Sequence, residues 1–299
     1  MHSPWRWILV ATIAPITWGS TYVVTAQWLP IDNPVWGAAL RALPAGLILL
    51  ALARQRPRGP WWWRSAVLGV LNVGAFFVLV YVAAQLLPSG VAAMLMATAP
   101  AVMLLLAWPL AAERPALLSL AGAAVGFAGV VVLLAGATGP IDPWGVAASL
   151  AAMLMSSLGF VLARRWNDGT PVLAVTAWQL TGGGLALVIA ALIVEGAPPP
   201  LDAAELLGFA YLTLIATALA YVTWFAALQH LTAGAVGLIG LLNPVAGVAL
   251  GVIVAAEAFS GAQVAGMAIV VAGILLGQPA VRHTVSRLRA RRSIAGGTA

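Results

Sequence analysis

The sequence predicts an all-α membrane protein of ten transmembrane helices, arranged as two five-helix repeats of inverted topology, with both termini on the cytoplasmic side. Three observations predict it. Hydrophobic residues make up 63% of the chain and charged residues only 7%, against about 25% charged in a soluble globular protein. The apolar residues fall in runs of roughly 20, the length an α-helix needs to cross about 30 Å of hydrocarbon. The chain also matches itself without a gap at an offset of 144 residues.

The runs place spans near 7–29, 34–53, 65–87, 89–111, 116–136, 144–165, 172–194, 206–229, 233–255 and 260–279, separated by polar or Gly/Pro breaks. A membrane β-barrel would alternate apolar and polar residues in segments of about ten, whereas these runs are continuously apolar. The first run is too long for the apolar core of a signal peptide and is read as the first span. With no Cys, neither a disulfide framework nor a thiolate metal site is available. His2, His230 and His283 lie at span ends or in tails, so no metal and no cofactor is expected.

All 14 basic residues are Arg. With the N-terminus inside, Arg6, Arg54, Arg56, Arg58, Arg64, Arg114, Arg164, Arg165, Arg282, Arg287, Arg289, Arg291 and Arg292 all fall on the cytoplasmic side, as the positive-inside rule requires. The outer loops hold Asp32, Asp142, Glu195, Asp202, Glu205 and Glu257. The basic residues are spread over separate loops with no aromatic groove between them, which argues against nucleic acid as a partner. Trp61, Trp62 and Trp63 beside Arg64 fit an interfacial aromatic belt, and the tail from Arg282 to Arg292 suits contact with anionic lipid.

The internal match pairs Gln85 with Gln229, Gly90 with Gly234, Pro100 with Pro244, Glu113 with Glu257, Gly122 with Gly266 and Gly129 with Gly273. Residues 1–136 then form the first repeat, 137–279 the second and 280–299 a basic tail. Five spans per repeat is an odd number, so the second copy enters the membrane inverted. Inverted repeats suit alternating access, because exchanging the conformations of two equivalent halves turns an inward-open cavity outward.

Along the first span Trp18, Thr21, Tyr22 and Thr25 recur at i, i+3, i+4 and i+7, one polar and aromatic stripe facing either a cavity or another helix. Arg41 lies about a third of the way into the second span. A charge there costs at least ~2.5 kcal/mol, so Arg41 either meets a substrate carboxylate or snorkels to the interface. Tyr81 and Thr98 in the third and fourth spans, Trp178 and Gln179 in the seventh, Tyr221 in the eighth and Asn243 in the ninth complete the candidate substrate set. Thr213, Thr217, Tyr221 and Trp224 form a second stripe. Pro100 and Pro244 are expected to kink the fourth and ninth spans and act as gating elements. Glu113 and Glu257 are read as caps at turns. Gly122–Gly126, Gly247–Gly251 and Gly273–Gly277 are read as close-packing positions.

ITWGSTYVV at 16–24, Arg41, Pro100, Asn243-Pro244 and the Glu113 and Glu257 turns resemble the EamA family of the drug/metabolite transporter superfamily, over nearly the whole chain. The resemblance implies a central cavity lined by helices 1 to 4 and 6 to 9, with helices 5 and 10 at the periphery. It also implies outward transport of amino acids, nucleosides or other metabolites. Ser156, Ser157 and Leu158 stand near where Trp18-Gly19-Ser20 would repeat, a departure in the second half. The expected function is an inner-membrane carrier exporting aromatic or neutral amino acids; the alternative is efflux of drugs or nucleosides. An intramembrane enzyme would need converging acid, base or nucleophile groups, and the spans hold no Asp, Glu, His or Cys. A channel or scramblase is the other rival. The same absence of a proton relay favours facilitated movement of the substrate down its own gradient. The sequence leaves monomer and homodimer open.

Overall fold

The computed structural model describes residues 4–111, 117–136, 141–228, 230, 239–240 and 242–277. In hydrocarbon the backbone must satisfy its own polar groups, as an α-helix does within one segment, and the described residues form helices joined by short turns and loops. Among the described residues eight helices are long and apolar enough to cross a membrane and two more are shorter and apolar. They are α1 (Pro4–Trp28), α2 (Pro34–Ala53), α3 (Trp61–Leu86), α4 (Ser89–Met96 continuing as Ala99–Ala111), α5 (Leu117–Ala135) and α6 (Pro143–Arg165). The rest are α7 (Val172–Val194), α8 (Ala203–Ala210, Tyr211–Leu219 and Ala220–Leu228), α9 (Leu242–Ile253) and α10 (Gly261–Gly277). The Glu113 turn, Gln229, the first part of the ninth span and the basic tail lie outside the described residues.

Helix ends follow local chemistry. Proline opens α2 and α6 at a first-turn position that needs no N–H partner. Asp142 caps α6 by accepting from Trp144 N at 2.7 Å, and Asp202 with Glu205 forms a capping box at the start of α8. Span three begins at Trp61, four residues earlier than the hydropathy boundary at 65, because the three tryptophans join the helix.

Two interruptions shape the interior. In α3 the stretch Val70–Gly74 is π-helical, and in α8 so is Tyr211–Leu219. An offset of 144 carries 70–74 onto 214–218, inside the second π segment. π turns are rare and concentrate at functional sites. In α4 the helix breaks at Ala97–Thr98.

The helices pair in a recurring pattern. The most extensive contacts join α5 to α10 and α2 to α7, while α1 packs on α9 as α4 packs on α6, and α3 packs on α6 as α8 packs on α1. At the α5–α10 contact a Cβ on Gly273 would strike the Gly126 backbone and one on Gly266 would strike Leu133, so both glycines are required for the close approach.

The two ends differ in charge. At one end Arg64 pairs with Asp168 at 3.6 Å and donates to the Trp166 carbonyl at 3.3 Å. At the other, Glu195 accepts from Val35 N and Trp36 N, both at 2.8 Å, and Glu257 accepts from Ser89 N at 2.5 Å and Gly90 N at 3.1 Å. Glu257 is thus the cap its turn position suggested. Each carboxylate closes the N-terminus of a helix distant in sequence, where it also meets the positive end of the helix dipole.

Candidate functional site

Near the middle of the bundle a cavity of about 210 Å³ is enclosed by α1, α2, α3, α4, α6, α8 and α9. From the candidates named by sequence it gathers Trp18, Thr21, Tyr22, Arg41, Tyr221 and Asn243. Trp18 is held by two aromatic neighbours, Tyr221 at 5.6 Å and Trp224 at 5.4 Å between ring centroids. Thr25, the last member of the helix 1 stripe, is buried outside the cavity, and its carbonyl accepts from Gln85 Nε2 at 2.9 Å.

Arg41 is only 8% exposed, so it does not reach the interface. Its Nε donates to Thr217 Oγ1 at 2.9 Å, and its guanidinium carbon lies 4.4 Å from the centre of the Phe77 ring. Thr217 belongs to the π segment of α8, and so does Thr213, whose hydroxyl donates to the Leu40 carbonyl at 3.1 Å. Pro44, four residues on, has no N–H for that carbonyl. The second stripe is therefore divided: Thr213 and Thr217 face α2, Tyr221 faces the cavity and Trp224 backs Trp18.

Four candidates lie elsewhere. Tyr81 points away toward the Glu-capped end, its hydroxyl donating to the Pro30 carbonyl at 2.6 Å, its ring filling the space a Cβ on Gly37 would need. Phe77, one turn back, takes the cavity position. Thr98 sits in the break of α4, where its hydroxyl turns back onto the Leu95 carbonyl at 2.7 Å and touches Met153 Sδ; its neighbours Met96 and Ala99 line the cavity. Trp178 lies at the Arg-rich end, with Nε1 donating to the Gln55 carbonyl at 2.9 Å. Trp36 makes the same kind of bond to the Gly196 carbonyl at the opposite end, at 3.1 Å, so both indoles tie α2 to α7. Gln179 lines a second hollow and accepts from Asn72 Nδ2 at 2.8 Å.

The expected kink at Pro100 takes another form. Pro100 is the second residue of a helical segment that restarts after the break at Ala97–Thr98, while Pro244 lies in α9 close to residues outside the described ones. Proline is tolerated in a first turn because no N–H is called for there, so α4 is interrupted ahead of Pro100 and not bent at it.

Asn72, Phe76, Phe77, Val80, Met96, Ala99, Ser156 and Phe160 complete the described cavity wall, and none of them was among the substrate candidates named by sequence. Asn72, Phe76 and Val80 follow at i, i+4 and i+8, and Asn72 is an amide inside an apolar span, which is the signal that could have found them. Asn72 fits because Gly159 on α6 leaves room: a Cβ there would overlap its Oδ1.

The second hollow, about 270 Å³, shares Asn72, Phe160 and Tyr221 with the cavity and runs to Arg164, Asn167 and Thr170 at the Arg-rich end. Its rim is organised by Asp168, which accepts from Thr170 Oγ1 at 2.6 Å and Trp61 Nε1 at 2.9 Å. The Thr170 hydroxyl first, then the Trp61 indole, hold the Asp168 carboxyl below its ordinary value. A depressed carboxylate keeps its contacts at neutral pH and loses them only as pH falls through the lowered value.

A bundle of apolar helices around a small aromatic and polar cavity defines a polytopic membrane transporter. The chain belongs to the EamA-like transporter family, whose model matches it twice, over residues 5–135 and 143–277. It is 36% identical over 270 residues to Protein PecM of Dickeya dadantii, covering 90% of this chain and 91% of that one. It is 26% identical to a probable amino-acid metabolite efflux pump of Salmonella typhimurium, covering 89% of this chain and 93% of that one. A crystal structure sharing 22% identity superposes with a TM-score of 0.67, covering 94% of this chain and 99% of that one, which shows the fold.

Proposed function

We propose that this protein is a metabolite carrier of the bacterial inner membrane, exporting amino acids by alternating access through the central cavity. The observation that carries the reading is the cavity itself: residues from both halves converge on it, and a hollow that shares Asn72, Phe160 and Tyr221 with it runs to Arg164 and Thr170. That end is the Arg-rich one, cytoplasmic by the positive-inside rule, which favours an inward-facing reading, with Glu195 and Glu257 binding helix starts at the other end. Two successive family matches, an odd number of helices in each half and π segments at corresponding positions support an inverted repeat of five plus five helices. The relative named as an amino-acid metabolite efflux pump supports amino acids as cargo.

Trp18, Tyr22 and Tyr221 form the aromatic wall against which an apolar substrate body stacks, contributing without a charge cost. Efflux of lipophilic cations fits less well, because Arg41 puts a positive charge in the cavity. With no carboxylate or His in the interior of the spans read from the sequence to relay protons, transport runs down the substrate's own gradient. Counterflow of labelled phenylalanine or leucine in proteoliposomes tests the reading: saturable exchange is expected, reduced at least tenfold by Trp18→Ala and by Tyr22→Ala. Flux that never saturates would point to a channel or scramblase, and accumulation abolished by a protonophore would refute the facilitated mode.

A further inference from the structure

We propose that Arg41 is the anchor for a carboxylate of the transported substrate, so that the carrier selects monocarboxylates with an apolar or aromatic body. This rests on the carrier reading above and names the chemistry of its site. Among the described residues that line the cavity, Arg41 alone carries a formal charge. It has no counterion among the described residues: the described Asp and Glu lie in loops or at helix ends, Asp168 pairing with Arg64 and Glu205 capping the first turn of α8. A charge 92% removed from solvent and unpaired calls for a partner, and the cavity is where one can enter.

The orientation of the guanidinium favours a carboxylate in particular. Thr217 takes the Nε hydrogen and Phe77 covers the flat face, which leaves the two terminal nitrogens, whose paired N–H groups match the two oxygens of a carboxylate. A phosphate dianion would call for more than one cation, and the remaining wall of Trp18, Tyr22, Phe76, Phe160 and Tyr221 suits an uncharged body. A zwitterion is accommodated as well, because Asn243 Oδ1 in the same wall is buried with no hydrogen-bond partner among the described residues and accepts from an ammonium.

Three probes of one size separate the groups: phenylalanine has both charges, 3-phenylpropionate only the carboxylate, and phenylalaninamide only the amine. Each is titrated onto the purified full-length protein by thermal shift and as a competitor of counterflow. Phenylalanine and 3-phenylpropionate are expected to bind at least tenfold tighter than phenylalaninamide, with that preference lost in Arg41→Gln and partly kept in Arg41→Lys. Equal binding of the amide to the unaltered protein would overturn the proposal with no variant needed, as would carboxylate binding unchanged within twofold in Arg41→Gln. Failure of all three to bind would also overturn it. Saturable counterflow of an uncharged metabolite, insensitive to Arg41→Gln, would remove the carboxylate anchor and leave the carrier standing.

Discussion

A single hydrogen bond decides which way the buried guanidinium of Arg41 points. Thr217 Oγ1 accepts from Nε, and Thr213 on the same π segment occupies the Leu40 carbonyl left open by Pro44. Replacing the hydroxyl by a methyl in Thr217→Val keeps the side-chain volume and strands the Nε hydrogen away from water. The expected cost is about 1–2 kcal/mol, hydrogen bonds to charged groups being stronger than neutral ones and interhelical bonds in membranes near the low end. The thermal midpoint in detergent should fall, and Thr217→Ser should recover it. An unchanged midpoint would show that Arg41 finds another acceptor. Gly159 is coupled to the cavity in a similar way. Gly159→Ala should displace Asn72 from Gln179 and lower stability, and adding Asn72→Ala should restore part of the loss, measurable as a double-mutant cycle.

At the scale of helices, the end opposite Arg64 is tied together by carboxylates acting across the bundle. Glu257, in the turn between α9 and α10, holds two N–H groups at the start of α4, and Gly251 leaves the space in which its carboxylate sits. Glu257→Ala should cost about 1 kcal/mol as a lost cap. It should also loosen outer closure: a Thr21→Cys reporter in the cavity is expected to react faster with an impermeant thiol reagent added from outside. No change in rate would mean that other contacts hold the outer end. The α5–α10 pair is a scaffold away from the cavity, so Gly273→Leu, which drives a side chain into the Gly126 backbone, should destabilise the fold by about 1–3 kcal/mol.

For the whole molecule, the two halves carry the argument. The positions paired by the internal match should lie on opposite sides of the membrane if the repeat is inverted. The chain holds no cysteine of its own, so single replacements report cleanly: Ala112→Cys is expected to be labelled from the cytoplasmic side and Ala256→Cys from outside. Labelling of both from the same side would end the inverted-repeat and alternating-access readings together.

Hydropathy, helix ends and charge segregation were legible in the sequence because each depends on a residue's own chemistry and its near neighbours. A run of about 20 apolar residues is a spanning helix whatever it packs against, and an Arg prefers the cytoplasmic side whatever lies beside it. On the same grounds the stripe of Trp18, Thr21 and Tyr22 could be read as facing something polar, Arg41 as a charge in need of a partner, and Glu257 as a cap. Which of these share one cavity was decided by the tertiary structure alone. Tyr81 and Trp178 have the same chemistry as Tyr22 and Trp18, but backbone carbonyls at Pro30 and Gln55 claim them at opposite ends of the bundle. Asn72 sits in the π segment of α3 and Phe77 follows it, while Phe160 comes from α6, and a π turn depends on contacts between residues more than 100 positions apart, such as Thr217 with Arg41. Local chemistry chose the helices, and long-range packing chose which side chains share the cavity.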